Sequence, residues 1–210
     1  MTTQASERHR LDEGCKALGL DVPESCFESL LRYLDLLYVW NASAGLTTIL
    51  RQHAVRLHLL DSLVALPDLE GSRCIDLGSG AGLPGLVLAV VRPDIDFVLC
   101  ESNRRRSSFL AEAARTLTVA NVRVLQADAG TVRERYSTVI SRAFRHPPEY
   151  LEAARHLVDP DGLVVLMTTE ISDDVVASLG SSAGLRPHSM RSFVLPGGGE
   201  GRSIVTFRPG

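Results

Sequence analysis

Residues suited to ligand chemistry are concentrated in one segment, Asp76-Leu77-Gly78-Ser79-Gly80-Ala81-Gly82-Leu83-Pro84-Gly85. It follows an apolar, strand-like run at residues 73–77 and precedes a helix-like run at residues 86–91. Glycines at such a junction let the backbone turn sharply and let a ligand approach with no Cβ in the way. The last six residues also fit G-x-G-x-x-G, which is a weak signal alone. The segment predicts a nucleotide-type site, with a bare strand-to-helix turn as the alternative.

Two acids near this loop indicate which ligand it takes. Asp76 stands two residues before the first glycine, where a carboxylate suits the amino group of a methionine moiety and would repel a pyrophosphate. Glu101 ends the next predicted strand and can accept hydrogen bonds from both hydroxyls of a ribose. NAD sites also use this second acid, so only Asp76 discriminates between the two ligands. We therefore expect S-adenosylmethionine, bound by Asp76, Gly78, Gly80, Gly82 and Glu101.

The ends of two further strands complete the expected site. Asp128, Ala129 and Gly130 follow the third predicted strand, which places them near the adenine. Asp128 either bonds the adenine amino group or is an ordinary turn residue, and the sequence leaves both open. Arg142 follows the fourth predicted strand and would face the reactive methyl end, with a plain surface charge as the alternative.

The hydrophobic pattern predicts the elements that must position these residues. Strands are predicted at residues 73–77, 96–101, 122–127, 136–141, 163–167, 192–195 and 203–207. Helices are predicted between them at residues 86–91, 107–117, 150–157 and 172–179. This alternation indicates parallel crossovers in an open α/β sheet, and a Gly-rich hairpin at residues 197–199 adds one antiparallel strand. We expect a Rossmann-like core with a mostly parallel seven-stranded sheet over residues 71–210.

Residues 1–70 are predicted to form an N-terminal helical extension packed on that core. Apolar residues recur at helical spacing from Phe27 to Trp40. Thr47 or Thr48 is expected to cap a second helix, and residues 1–20 are interpreted as a frayed helix. His58 and Asp61 lie at helix spacing and could brace the extension onto the sheet.

Length, charge and cysteine usage exclude several classes of protein. A chain of 210 residues suits one compact domain, and its net charge of −3 shows no overall basic bias towards nucleic acid. No apolar run reaches the roughly 18 residues of a membrane span, and residues 1–10 contain no apolar signal core. The 4 cysteines form no C-x-x-C pair. We expect a cytoplasmic monomer that has no membrane segment, disulfide framework or metal site.

Several short motifs occur together along the chain between about Tyr33 and Phe207. They are Trp40-Asn41, Leu46-Thr47-Thr48-Ile49, His58-Leu59-Leu60-Asp61-Ser62, residues 74–85, Glu101-Ser102, Phe109-Leu110 and Ile140-Ser141-Arg142-Ala143. With these motifs the chain resembles the bacterial RsmG (GidB) methyltransferases, which modify guanine N7 in small-subunit ribosomal RNA. The resemblance implies a class I S-adenosylmethionine-dependent methyltransferase fold. It also implies cofactor contacts at Gly78, Leu83, Ala129, Gly130 and Arg142, of which we assign Arg142 to catalysis.

One departure from the family pattern concerns the substrate. The family usually carries Lys-Gly after its fifth strand, where this chain has Thr168-Thr169-Glu170. Ribosomal RNA or the small-subunit particle is the expected partner; the alternatives are a small molecule, a protein, or a binding module without catalysis. Phe144 could stack on a base. The side chains that could contact RNA phosphates are Arg51, His53, Arg56, His58, Arg104, Arg105, Arg106, Arg142, Arg145 and His146.

Overall fold

The structure, a computed structural model, describes residues 3–142 and 146–210. Its strands are β1 (Arg73–Leu77), β2 (Asp96–Cys100), β3 (Val122–Leu125), β4 (Tyr136–Arg142), β5 (Val158–Thr169), β6 (Leu185–Phe193) and β7 (Arg202–Pro209). They form a single sheet in the order β3-β2-β1-β4-β5-β7-β6. The pairs from β3 to β5 are parallel, whereas β7 is antiparallel to both of its neighbours. The predicted seven-stranded sheet with one antiparallel strand is confirmed.

Helices precede the sheet and alternate with its strands. The helices before β1 are α1 (Thr3–Ala17), α2 (Phe27–Ala44), α3 (Arg51–Ala54) and α4 (Asp61–Leu63), with a π-helical segment, Val55–Leu60, between the last two. The later helices are α5 (Gly85–Val91), α6 (Arg104–Thr116), α7 (Pro147–Leu157) and α8 (Asp173–Ala183). The architecture confirms the Rossmann-like α/β fold class.

The helices before β1 share a hydrophobic core with the sheet. Leu11 of α1, Leu34 of α2 and Leu59 of the π-helical segment are fully buried in one apolar cluster with Leu86 and Phe109. Burial of this apolar surface is the main force that holds the helices to the sheet. The boundary that we expect at residue 70 stays a prediction.

The first helix is better packed than a frayed helix would be. Glu7 is 2% exposed and accepts two hydrogen bonds from Arg51, at 2.9 Å on Oε1 and 2.7 Å on Oε2. Leu11 and Cys15 are buried on the same helix. The prediction of a frayed helix is therefore wrong for Thr3–Ala17, because a charged pair and two apolar side chains fix it to the following helices.

The predicted start of the second helix is also wrong. Its cap is Leu50, not Thr47 or Thr48, and no side chain bonds the first turn. Asn41 holds the preceding segment as a loop, since its amide group donates to the Thr47 carbonyl at 2.9 Å and accepts from the Thr47 N–H at 2.8 Å. Thr47 is therefore used in the loop rather than at the start of a helix.

The largest differences from the predicted strand bounds occur in two strands, β5 and β6. β5 begins at Val158 rather than residue 163. β6 covers Leu185–Phe193 rather than residues 192–195, and most of its residues are exposed. It lies at the edge of the sheet and carries Arg186, His188 and Arg191, so it shows no apolar alternation that the hydrophobic pattern could detect.

Candidate active site

The predicted site residues follow strands that lie side by side. β1 is paired in parallel with both β2 and β4, so the carboxyl ends of these strands meet at one edge of the sheet. The strand order reverses here, because β2 and β3 lie on one side of β1 while β4 and β5 lie on the other. Open α/β sheets bind ligands in the crevice at such a reversal. The structure brings the glycine loop (residues 78–85), Glu101 and Arg142 to this edge.

The glycine loop is fixed from two sides. The backbone N–H groups of Gly78 and Ser79 donate to the carbonyl oxygen of Cys100 at 2.8 and 3.1 Å. From the other side, the buried hydroxyl of Tyr33 donates to the carbonyl oxygen of Ala81 at 2.8 Å. Because Tyr33 belongs to α2, the extension takes part in shaping the loop.

The loop glycines meet different requirements. Gly82 has a φ of +90°, and a Cβ there would lie 2.9 Å from the Cβ of Leu86. A Cβ on Gly85 would lie 2.7 Å from the side chain of Asp76. By contrast, a Cβ on Gly80 would have only the Gly78 carbonyl oxygen within 4 Å, at 3.8 Å. Close packing within the protein therefore demands Gly82 and Gly85, whereas Gly80 leaves open space that a ligand can approach.

Asp76 is a fully buried carboxylate with one satisfied oxygen. Its Oδ2 accepts the N–H of Gly85 at 2.9 Å, while its Oδ1 has no hydrogen-bond partner among the described residues. Burial raises the pKa of Asp76 from 3.8 to about 7, opposed mainly by the Gly85 hydrogen bond. A buried carboxylate oxygen without a partner is costly. The ammonium group of a bound amino acid moiety would satisfy it.

Glu101 is tied to the loop and retains acceptor capacity. Its Oε2 accepts the N–H of Gly80 at 2.9 Å, and its Oε1 accepts the N–H of Asn103 at 2.8 Å. The residue is 5% exposed, and Nη1 of Arg106 lies 3.9 Å from Oε2. A carboxylate offers about four lone-pair positions. Glu101 therefore orients the loop and retains lone pairs for the hydroxyls of a ribose, a contact that stays a prediction.

The residues predicted near the adenine form a turn after β3. Asp128 precedes a short 3-10 turn, Ala129–Thr131, and its Oδ1 accepts the N–H of Gly130 at 2.9 Å. The turn function that the sequence left open for Asp128 is thus present, and its bond to an adenine stays a prediction. Ala129 is buried and Gly130 exposed. Leu83, another predicted contact, is buried in the apolar cluster under the glycine loop.

Arg142 lies at the end of β4 and is bound by the extension. Its Nη1 donates to Oδ2 of Asp61 at 2.7 Å and to the carbonyl oxygen of Leu57 at 3.2 Å. Its side chain is 19% exposed, so it is not a free surface charge. The other carboxylate oxygen of Asp61, Oδ1, lies 3.3 Å from Nε of Arg202. Asp61 therefore braces the extension onto the sheet through two arginines.

A cavity of about 350 Å³ opens beside Arg142. Its walls come from the extension and from the adjacent ends of β4, β5, β6 and β7, and include Asp61, Arg142, Met167, Thr169, Phe193 and Arg202. Of the predicted cofactor contacts, Arg142 is the one that lines it. The cavity therefore adjoins the strand-end site on the side where a methyl acceptor would lie.

His58 lines the same cavity as a neutral imidazole. It is 4% exposed, and its Nε2 lies 3.0 Å from Oγ1 of Thr47. Burial, together with the nearby Arg142 charge, lowers the pKa of His58 from 6.5 to about 4. Its Nδ1 is buried and has no hydrogen-bond partner among the described residues. A neutral, half-satisfied ring at a cavity wall can take part in recognising a ligand, but it is not a phosphate-binding cation.

Five of the basic residues considered for RNA fall into two groups. Arg104, Arg105 and Arg106 form the exposed first turn of α6 at the site edge, where the Asn103 side chain accepts two of their backbone N–H groups. In contrast, Arg51 is bound by Glu7 and Asp35, and Arg56 donates to the carbonyl oxygen of Gly198 at 2.5 Å. The first group is available to a partner, and the second supports the fold.

Three residues of interest, Ala143, Phe144 and Arg145, lie outside the described residues. Arg202 lines the cavity but was not predicted, and no sequence signal pointed to it. Asp61 was predicted only as a brace, from its helix spacing to His58. Within residues 3–142 and 146–210, no group of His, Cys, Asp or Glu could hold a metal ion. No helix of that part is long and apolar enough to cross a membrane.

Comparison with known proteins gives consistent matches. The sequence model of the family described as GidB, rRNA small subunit methyltransferase G, matches residues 27–192. A ribosomal RNA small subunit methyltransferase G of Methylobacillus flagellatus is 37% identical over 204 residues, which cover 94% of this chain and 96% of the relative. The protein of that name from Nitrosospira multiformis is 42% identical over 151 residues, 70% of each chain.

A solved structure shares the fold. It is the 1,6-didemethyltoxoflavin-N1-methyltransferase of Burkholderia thailandensis, bound to 1,6-didemethyltoxoflavin and S-adenosylhomocysteine. It superposes with a TM-score of 0.55 and 15% identity, over 71% of this chain and 76% of its own. At this identity the likeness is one of fold.

Proposed function

Because the chain belongs to the rRNA small subunit methyltransferase G family, we propose that it transfers a methyl group from S-adenosylmethionine to N7 of a guanine in small-subunit ribosomal RNA. The resemblance indicated by the motifs is confirmed, and with it the methyltransferase class and the cofactor. The guanine N7 position, the identity of the site residues and the state of the RNA are the proposed part.

The observation that carries the proposal is the position of Arg142. It ends β4 beside β1, at the reversal in strand order, and it also lines the cavity. A cofactor held by the glycine loop and an acceptor held in the cavity would therefore be neighbours. Transfer of a group between two bound molecules requires this juxtaposition.

The residues present fit the cofactor. The unpartnered Oδ1 of Asp76 would take its ammonium group, and Glu101 would take its ribose hydroxyls. The open backbone at Gly80 leaves space for the approach of a ligand. The turn at Asp128–Gly130 and the buried Leu83 would bound the adenine, while Gly78 and Gly82 shape the loop around the rest. Bound S-adenosylmethionine supplies an electrophilic methyl group on a sulfonium whose leaving group is a neutral thioether.

The protein has little proton chemistry to perform. Guanine N7 attacks with its own lone pair, so one N–CH₃ bond forms as one S–CH₃ bond breaks, and the sulfonium charge passes to the base. No proton has to be removed for this step, so no general base is required. The protein can act mainly by alignment and by exclusion of water from the cavity.

The proposal is tested by methyl incorporation from labelled S-adenosylmethionine. Small-subunit particles, naked ribosomal RNA and a metabolite extract are compared side by side, with Gly78→Asp as the inactive control. We expect label in the ribosomal RNA, mapped to guanine N7. Label confined to metabolites or protein would reject the RNA substrate and leave the cofactor site standing. The substitution of Lys-Gly by Thr168-Thr169 makes this second outcome worth measuring.

A further inference from the structure

The cavity beside Arg142 combines hydrogen-bond donors with apolar walls. Hydrogen-bond donors reach it from two guanidinium groups, those of Arg142 and Arg202. Its apolar walls include Met167 and Phe193, which suit the face of a planar ring. His58, whose buried Nδ1 has no hydrogen-bond partner among the described residues, also lines this cavity. A flat heterocycle with an acceptor oxygen on its edge would match these features.

The two arginines differ in how firmly they are held. Arg142 makes a 2.7 Å bond to Asp61. Arg202 has only long contacts: 3.3 Å from Nε to Asp61, 3.5 Å from Nη1 to the Gly201 carbonyl oxygen and 3.6 Å from Nη1 to Glu200. Contacts of this length are weak. The Nη2 of Arg202 donates to no other residue in the described part of the chain. Arg202 is therefore a half-buried cation with donors still available.

The backbone places Arg202 at the cavity mouth. It is the first residue of β7 and is in register with Thr169 at the end of β5 and with Phe193 at the end of β6. Both neighbours line the cavity. The Asp61 carboxylate contacts both guanidinium groups, so Arg142 and Arg202 lie beside each other at the cavity wall.

We propose that this cavity receives a 6-oxopurine base flipped out of the RNA, and that Arg202 recognises its O6 oxygen. The inference rests on the proposed RNA methylation and adds how the base is chosen. Enzymes that modify a base take it out of the stack and read its edge by hydrogen bonds. Arginine is the usual donor to guanine O6. Adenine carries an amino group at this position instead of an oxygen. That amino group would face the guanidinium donors of Arg142 and Arg202, so adenine would be rejected.

The test compares base analogues in reconstituted small-subunit particles. The acceptor guanine, mapped with the wild-type protein, is replaced by inosine, which keeps O6, or by 2-aminopurine, which lacks it. We expect inosine to be methylated within about threefold of guanine, and 2-aminopurine to lose about 10- to 100-fold in kcat/KM. Equal rates on guanine and 2-aminopurine would overturn the proposal without any protein variant.

Two variants identify the residue. Arg202→Gln should lose about 10- to 100-fold on guanine and show little further loss on 2-aminopurine, because both changes remove the same contact. Its affinity for S-adenosylmethionine, measured by calorimetry, should match wild type. Arg202→Lys should recover part of the rate. Independent, additive losses from the protein change and the base change would show that Arg202 does not read O6.

The same experiment includes a matched control variant. It also distinguishes a failure of the base assignment from a failure of the proposed RNA methylation. Arg191→Gln removes a similar arginine of β6 that pairs with Asp68 and does not line the cavity. It should behave as wild type on all three bases. If the wild-type protein methylates none of the particles, the RNA function itself fails, and the base assignment fails with it.

Discussion

Asp76→Asn should make the protein more stable at neutral pH while it loses its cofactor. Burial raises the pKa of Asp76 from 3.8 to about 7. One pKa unit corresponds to about 1.4 kcal/mol, so the ionised carboxylate costs the folded protein about 4 kcal/mol above pH 7. Asparagine removes this cost and leaves a buried amide NH₂ group without a partner, which costs about 1–3 kcal/mol. The variant should gain roughly 1–3 kcal/mol in unfolding free energy at pH 8.

The raised pKa of Asp76 also fixes the direction in which the unfolding free energy changes with pH. Because the folded-state pKa of Asp76 is raised, the wild-type protein keeps a proton between pH 3.8 and about 7 that the unfolded chain has released. Its unfolding free energy must fall as pH rises through that window and level off above it. The variant lacks this titration. Its advantage should therefore grow by about 2 kcal/mol from pH 5 to pH 7.

Urea denaturation at pH 5, 7 and 8 measures the effect, and calorimetric titration measures cofactor binding. We expect the Kd for S-adenosylmethionine to rise at least about 30-fold, because an ion pair of the ammonium group with a buried carboxylate is lost. Asp94→Asn is the control, since that carboxylate is 61% exposed and pairs with Arg92. If the unfolding free energies of the variant and the wild type change in parallel from pH 5 to pH 8, the claim that Asp76 is a buried carboxylate with a raised pKa is refuted. Wild-type cofactor affinity would remove Asp76 from the site.

Three further substitutions test other parts of the site. Gly82→Ala should destabilise the protein by about 1–3 kcal/mol and abolish cofactor binding, because φ is +90° and the new Cβ would lie 2.9 Å from Leu86; unchanged melting and titration curves would contradict this. Tyr33→Phe should cost about 1–3 kcal/mol in urea denaturation, since the Ala81 carbonyl oxygen loses its buried donor at 2.8 Å, and a smaller loss would mean that the loop does not depend on α2. Arg142→Ala should lower kcat at least about tenfold in the RNA assay, and full activity would exclude it from the reaction.

The parts of the site that the sequence predicted are those set by local pattern. Asp76 lies in β1, and Gly80 and Glu101 follow β1 and β2, buried strands whose apolar runs are plain in the sequence; parallel pairing then brings the three residues together. The contact of Asp61 with Arg202 spans 141 residues of chain and depends on how the extension packs on β7, which no local pattern encodes. The function of Tyr33 was hidden for the same reason, because its partner is a backbone carbonyl 48 residues away.

Strands that are buried on both faces were predicted from their apolar runs. Element boundaries that depend on polar side chains were missed. Thr47 looks like a helix cap, yet Asn41 holds it in a loop by two hydrogen bonds. α6 begins at Arg104 rather than residue 107, because Asn103 caps it and three charged residues obscure the apolar pattern. In both places a side-chain bond to the backbone settles the boundary.

The polar edge strand β6 also bears on how the protein avoids aggregation. An edge strand offers unpaired backbone groups to any other chain, and exposed apolar edges promote such pairing. Here the edge carries exposed Arg186, His188 and Arg191, and Pro187 has no N–H to offer. A second chain that approached this edge would have to bury those charges. Replacing Arg186, His188 and Arg191 with valines should therefore turn this sheet edge into a site of intermolecular β-pairing during concentration or refolding.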